Sequence, residues 1–403
     1  MALTSQQREA LRGKTAQRVR GLAGSATVQV MDKARRLQAE GRSIVDLSGG
    51  DPDFPTAPNV TEAAIQSLRN GFTHYTPSRG IPALLKAIAH KLATENGVTY
   101  EPAKEIIVMP GAKQALFVAA QALLNPGDEM ILFSPAWVSY EPCAALAGAT
   151  TVYVPMNMDT TVETLRARLA ATISPRTKLA IVNTPNNPTG QVWSRELLQV
   201  VADAAQTHDF LVLSDEIYEK LIYDGQPHIS IAGLDGMWER TMILNGLSKS
   251  HAMTGWRLGY IAGPEPLIGE MLKIHQHSST CAASFVQEAA VAALNGPQDY
   301  TDWMISRYKA RRDRLVADLN AIPGIHCDRP QGAFYAFPNI SGTGLSSLEF
   351  ADRLLDAEGV AVTPGEAFGP GGEGYVRLSY ANSDEMLQEG ARRIKRFVDN
   401  LRD

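Results

Sequence analysis

From residue 105 to about residue 262 the chain repeats one pattern, and that pattern limits the fold more than any other feature. Short apolar, β-branched runs (EIIVMP, EMILFSP, TTVYVP, TKLAIVNTP, FLVLSDEIY, TMILNGLSK and LGYIAG) alternate with helical stretches such as KQALFVAAQALL and SRELLQVVADAAQTHD. Strands that alternate with helices form a mainly parallel sheet covered on both faces, an α/β architecture. Ligands of such sheets bind outside the carboxyl ends of the strands. The polar residues of interest in this chain fall where the apolar runs end.

With 403 residues, 44% of them hydrophobic, the chain has material for two or three domains with ample cores. A formal net charge of -5 provides no general basic surface, so nucleic acid and anionic membranes are not expected partners. No apolar run reaches the ~18 residues of a membrane-spanning helix. Cys143, Cys281 and Cys327 are far apart and form no C-x-x-C motif, which implies buried free thiols in a reducing compartment. The first 21 residues are rich in Arg, Lys, Ser and Thr but lack the apolar core of a secretory signal, so a basic arm on a cytoplasmic protein is expected.

Ahead of the alternating region a helix is expected to end near Gly41. A loop follows in which Gly49, Gly50, Pro52 and Pro55 crowd together, as in a tight turn, a plain connection or an approach to a ligand. IPALLKAIAHKLATENG then reads as an amphipathic helix with Leu85, Ile88 and Leu92 on one face and Gly97 as its stop.

The stretch GLSKSHAMTGWRLGY, residues 246–260, holds Lys249 and, two helical turns further on, Arg257. A lysine desolvated in a small-residue turn stays partly neutral, as an amine must to form a Schiff base, and a guanidinium suits a phosphate. A solvated surface pair is the plainer alternative. Gly111, Ala112 and Lys113 open a helix whose free N–H groups suit an anion. Trp137 lies just past a strand end, either against a flat ligand or in the core. In NTPNNPTG the proline steps shape a tight loop from which Asn187 can aim its amide at a ligand. Asp215 and Tyr218 are one turn apart and can face one ligand; a buried carboxylate there needs a positive partner, unless it caps a helix. Arg377 is either a salt-bridge partner or a bidentate carboxylate ligand. His275 and His277, if extended, could share a side as metal ligands, but no acid or cysteine stands near in sequence, and no metal is assigned.

The motifs GDPDF, HYTP, GAKQA, SPAW, NTPNNPTG, SDEIY, LSKSHAMTGWRLGY, GAFY and VRLSY stand in an order that resembles the class I aminotransferases of pyridoxal-phosphate fold type I, in particular the aspartate aminotransferase-like subgroup. The resemblance runs from about Val19 to the C-terminus. It implies a large domain with a mainly parallel sheet between helices (58–294) and a smaller α/β domain (295–403), which takes in part of the N-terminal segment (1–57). It also implies a homodimer with shared active sites.

By this resemblance Lys249 is the lysine that joins pyridoxal 5'-phosphate and then moves a proton between the substrate Cα and the cofactor. Asp215 keeps the pyridine nitrogen protonated, Tyr218 and Asn187 bond the ring phenolate oxygen, and Trp137 stacks on the ring. Arg257 and the backbone of Gly111, Ala112 and Lys113 hold the phosphate, with Tyr75 reaching in from the partner subunit. Substrate contacts fall to Gly50, Trp137, Asn187 and Arg377, the last holding the α-carboxylate. The implied reaction moves an amino group between an L-amino acid and a 2-oxo acid by a ping-pong route, with an aspartate- or glutamate-type donor. A lyase, cyclase or racemase of the same fold, or a ligand sensor without catalysis, remains an alternative; a sensor would need a DNA-binding domain, for which the short leading segment has no room.

Two departures concern phosphate and substrate. Many relatives carry serine three residues before the lysine, where this chain has Gly246. KIHQHSSTCAAS has no arginine where other enzymes place a second one for a distal carboxylate. The subgroup's N-terminal Ser/Thr pair and lysine match Ser25, Thr27 and Lys113, while its nearby basic residue is Ala23 here. Aromatic, neutral and specialised substrates therefore stay open beside dicarboxylic ones.

Overall fold

The computed structural model describes residues 3–22, 24 and 26–401. Ala23 and Ser25 lie outside the described residues, as does the side chain of Thr27.

A short strand, β1 (Val45–Asp46), precedes the alternating region. The seven apolar runs all become strands of one sheet: β2 (Ile106–Met109), β3 (Glu129–Ser134), β4 (Thr150–Pro155), β5 (Thr177–Asn183), β6 (Leu211–Asp215), β7 (Thr241–Gly246) and β8 (Gly259–Ala262). Their order is β2-β8-β7-β6-β5-β3-β4, parallel except for β8, which runs antiparallel to both neighbours. Successive side chains of a strand point to opposite faces. Met130, Leu132, Leu179 and Ile181 therefore pack on one side with the helix Ala112–Leu123, while Ile131, Phe133, Ala180 and Val182 pack on the other with the helix Arg195–His208. Burial on both faces explains why these runs carry few polar residues. Gly259 of β8 has no alternative, because a Cβ there would lie 2.3 Å from the backbone nitrogen of Ala112.

The C-terminal part of the chain, with β1, builds a second layer around β9 (Tyr335–Ala336), β10 (Val360–Ala361), β11 (Thr363–Pro364) and β12 (Val376–Ser379). β1 pairs in parallel with β10, and β12 lies between β11 and β9, antiparallel to both. The helix Ser347–Glu358 starts with a capping box, Ser346 accepting from the Glu349 N–H and the Glu349 carboxylate accepting from the Ser346 N–H. The long helix Asp299–Asn320 reaches back to the GDPDF loop. There Arg311 Nη1 and Nη2 meet Asp53 Oδ1 and Oδ2 at 2.8 and 2.9 Å, and the guanidinium lies 4.7 Å from the Phe54 ring centroid.

The helix Pro82–Lys91 widens into a π-helical turn over Leu92–Asn96 and stops at Gly97, as expected, in the left-handed region. Between Lys249 and Arg257 the chain does not form the expected two helical turns. It passes through successive tight turns, with Ala252 and Arg257 themselves at φ 52°. His275 and His277 are on the helix Glu265–Ser278 rather than on an extended stretch, so His275 is buried while His277 faces outward. Cys143 and Cys327 are buried free thiols, but Cys281 is only half-buried. Among the described residues no helix is long and apolar enough to cross a membrane.

Candidate active site

The carboxyl ends of β5, β6 and β7 come level, with Asn183 opposite Asp215 and Asp215 opposite Leu244. Above them opens a cavity of about 360 Å³. Ala112, Lys113, Trp137, Asn187, Asp215, Tyr218, Lys249, Arg257, Gly50 and Arg377 all line it. Residues from across the sequence thus meet in one place. Tyr75 does not join them within this chain; it is 87% exposed.

Lys249 follows β7 by three residues, and its ammonium donates to the Gly50 carbonyl. Burial is the main cause that brings its pKa down to about 8; Asp51 opposes this, while Arg377, Arg257 and Lys113 add to it. Asp215, at the end of β6, is buried and has its pKa pushed up to about 6, chiefly by burial, although Tyr140 and the Ile217 N–H both donate to it. It caps no helix. A carboxylate so placed gains from a nearby cation.

Arg377 on β12 is 3% exposed. It donates to Asn187 Oδ1 at 3.0 Å and to the Ser48 carbonyl at 2.7 Å, and its guanidinium is stacked between the rings of Tyr335 and Phe368, 4.5 and 5.0 Å from their centroids. Its Nε has no partner, and among the described residues no carboxylate forms an ion pair with it. The salt-bridge alternative therefore does not hold here. Asn187 is fixed by its own N–H, which donates to Asn183 Oδ1 at 2.9 Å. Trp137 is half-buried at the wall, with Lys113 Nζ 4.8 Å from its ring centroid. Gly111, at φ 90°, starts the helix Ala112–Leu123, and a Cβ on it would come within 2.6 Å of Arg257 Nη2. The guanidinium and the free N–H groups of the first helical turn thus adjoin one another.

Several residues that sequence reasoning left without a role also belong to this site. Tyr140, the first residue of the helix Tyr140–Ala147, bonds Asp215, and its ring meets Trp137 edge to face. Tyr335, in the GAFY motif, meets Tyr218, and Asp51 in GDPDF accepts from the Thr254 hydroxyl. Glu216, next to Asp215, turns the other way into a buried cluster with Glu219 and His228 whose ligand atoms lie within 4.8 Å of one another. Ser214, Ser230, Asn96 and His228 surround Glu216, and Lys91 supplies the positive charge beside Glu219. Burial pushes Glu219 up, but Lys91, His228 and Asn96 outweigh it and hold its pKa at about 2.

A family profile described as aminotransferase class I and II matches residues 42–394. An aspartate aminotransferase of Musicola paradisiaca is 44% identical over 92% of this chain and 93% of its own. An aromatic-amino-acid aminotransferase of Thermococcus litoralis is 41% identical over 88% of this chain and 92% of its own. The structure of the Thermus thermophilus aspartate aminotransferase with maleate superposes with a TM-score of 0.89 at 41% identity, covering 95% of this chain and 99% of that one. The chain belongs to the class I and II aminotransferases. It is a pyridoxal-phosphate-dependent enzyme that moves an amino group between an amino acid and a 2-oxo acid.

The residues present fit that cofactor. A buried carboxylate short of a cation, an amine with a lowered pKa, and a guanidinium beside a helix N-terminus match a pyridine nitrogen, an aldehyde and a phosphate in turn.

Proposed function

We propose that this aminotransferase takes a dicarboxylic amino acid of the aspartate or glutamate type as donor, and that it works as a homodimer with shared active sites. The observation that carries the reading is the meeting of Lys249 and Arg377 in one cavity, with Lys113 as a further cation on the wall. Besides Lys249, Arg377 and Lys113 give the cavity two cations, which suits a substrate with two carboxylates.

When bound, pyridoxal 5'-phosphate supplies an aldehyde that condenses with amines and a protonated ring that withdraws electrons from Cα. In the proposed arrangement Asp215, held by Tyr140, keeps a proton on the ring nitrogen. Arg257 and the first turn of the helix Ala112–Leu123 hold the phosphate, Trp137 covers one ring face, and Asn187 and Tyr218 bond the ring oxygen. Arg377 would grip the substrate α-carboxylate in two bonds and so orient its Cα. Lys249, whose pKa burial brings down, would take the proton from Cα. Gly50, whose carbonyl bonds Lys249, lies where the substrate enters. Movement of the smaller domain, which carries Arg377, against the larger one would expel water as the substrate binds.

Tyr75, exposed on one chain, is assigned to the phosphate of a partner's site. The test is a panel of amino donors and 2-oxo acceptors followed by half-reaction spectroscopy. Rapid half-reactions with aspartate and glutamate support the reading, and a preference for aromatic donors, as the Thermococcus relative's name states for that enzyme, would overturn it. Keto acid formed without any acceptor would point instead to a lyase.

A further inference from the structure

Tyr335 touches both ends of the site. Its Oη lies 2.9 Å from Tyr218 Oη, with both side chains buried and the rings edge to face at 5.8 Å. On its other side the Arg377 guanidinium stands 4.5 Å from the ring centroid. The backbone dictates this sandwich, because Tyr335 of β9 pairs with Ser379 of β12, and Ser379 shares a strand face with Arg377 two residues earlier. Gly50 completes the enclosure: a Cβ there would come within 2.6 Å of the Tyr335 oxygen.

Two phenols that share one bond need a donor and an acceptor. A guanidinium over a phenol face favours the phenolate, which makes that O–H the stronger donor. The groups facing Tyr335 are Arg377 and Tyr218, with Asp51 further off; burial raises the pKa of both phenols and Arg377 opposes it at both, while the bond they share lowers Tyr335 and raises Tyr218. Either oxygen can donate across this pair; when Tyr335 does, the hydrogen of Tyr218 is free to point into the cavity.

We propose that Tyr335 is a positioning residue that couples the carboxylate seat at Arg377 to the phenol of Tyr218, with its ring under the guanidinium and its hydroxyl donated across the cleft. This rests on the assignment of Arg377 to the substrate carboxylate and Tyr218 to the cofactor ring oxygen. A carboxylate on Arg377 offsets the charge above the ring and weakens the Tyr335 donor, and Tyr218 then holds the ring oxygen less firmly. Asn187, also bonded to Arg377, gives a second route, so Tyr335 carries part of the coupling.

The experiment is a pH titration of the holoenzyme's visible cofactor band, with and without saturating succinate, in wild type and Tyr335→Phe. The expected result is a midpoint about half a pH unit higher in the unliganded variant, and a succinate-induced shift reduced to about half. Replacing Tyr335 with 3-fluorotyrosine, which acidifies the phenol and keeps its ring, should move the midpoint the opposite way and serves if Tyr335→Phe folds poorly. On a Tyr218→Phe background, Tyr335→Phe should change nothing more. Unchanged midpoints and succinate shifts, or an undiminished effect on the Tyr218→Phe background, would overturn the coupling. An Arg377→Lys enzyme that binds succinate as tightly as wild type would instead overturn the underlying site assignment.

Discussion

Tyr140 donates its phenolic hydrogen to Asp215 Oδ2 at 2.7 Å, and the Ile217 N–H covers Oδ1 at 3.2 Å. The carboxylate therefore rests on one side-chain bond and one backbone bond in a buried site, with its pKa at about 6. Removing the phenol in Tyr140→Phe should push Asp215 further towards its neutral form. A hydrogen bond to a charged group is worth about 1.5–3 kcal/mol, so kcat should fall by roughly tenfold or more. Steady-state rates across pH check this.

Lys249→Ala should abolish the visible band of the bound cofactor and lower turnover by about 10⁴-fold or more. In the cofactor-free wild type, a lysine with a pKa of about 8 is protonated below that pH and cannot attack the aldehyde. The rate at which added pyridoxal 5'-phosphate gains its bound absorbance should accordingly rise with pH through about 8 and level off above it. Stopped-flow spectroscopy tests both statements, and full turnover in Lys249→Ala would defeat the assignment.

Arg377→Lys keeps a positive charge but loses the planar fork. Because the arginine is buried between two aromatic rings, the lysine cannot rebuild a two-bond grip on a carboxylate. The KM for amino and 2-oxo acids should rise about 30-fold or more, with a smaller change in kcat. An unchanged KM would count against the carboxylate seat.

Arg311 and Asp53 make a two-bond pair that fastens the GDPDF loop, and with it Gly50, to the helix Asp299–Asn320. Arg311→Gln leaves Asp53 without its partner, and stability should fall by about 2–3 kcal/mol. The double variant Arg311→Gln/Asp53→Asn should recover part of that loss. Urea denaturation of the four proteins measures the coupling.

If Tyr75 completes the partner's site, a Tyr75→Ala protein and a Lys249→Ala protein, each nearly inactive, should regain activity on mixing, since a hybrid dimer holds one site with both residues intact. Refolding a mixture of the two and assaying it tests the shared dimer. No recovery would argue for a site built from one chain.

The strands were legible because all of them but the edge strand β4 are covered on both faces, and such segments tolerate few polar residues. Lys249, Asp215 and Asn187 were legible because they stand where those runs end. The turns between Lys249 and Arg257 were not: nothing in HAMTGWR announces that Ala252 and Arg257 take a left-handed backbone, for neither is a glycine. Tyr140 and Tyr335 stayed hidden for another reason. Their bonds to Asp215 and Tyr218 join residues 75 and 117 positions apart, a pairing that no local pattern announces. For His275 and His277 the reading assumed the wrong period, since a helix separates neighbours that a strand would align.

The parallel pairing of Val45 with Val360 ties an early strand to a late one. While the chain emerges from the ribosome, β1 has no neighbour until nearly all of the protein has been made, whereas the seven-stranded sheet is complete once Ala262 is free. The strands that end beside Lys249 are thus all made before β12, which carries Arg377, so the wall proposed for the cofactor would take shape ahead of the wall proposed for the substrate.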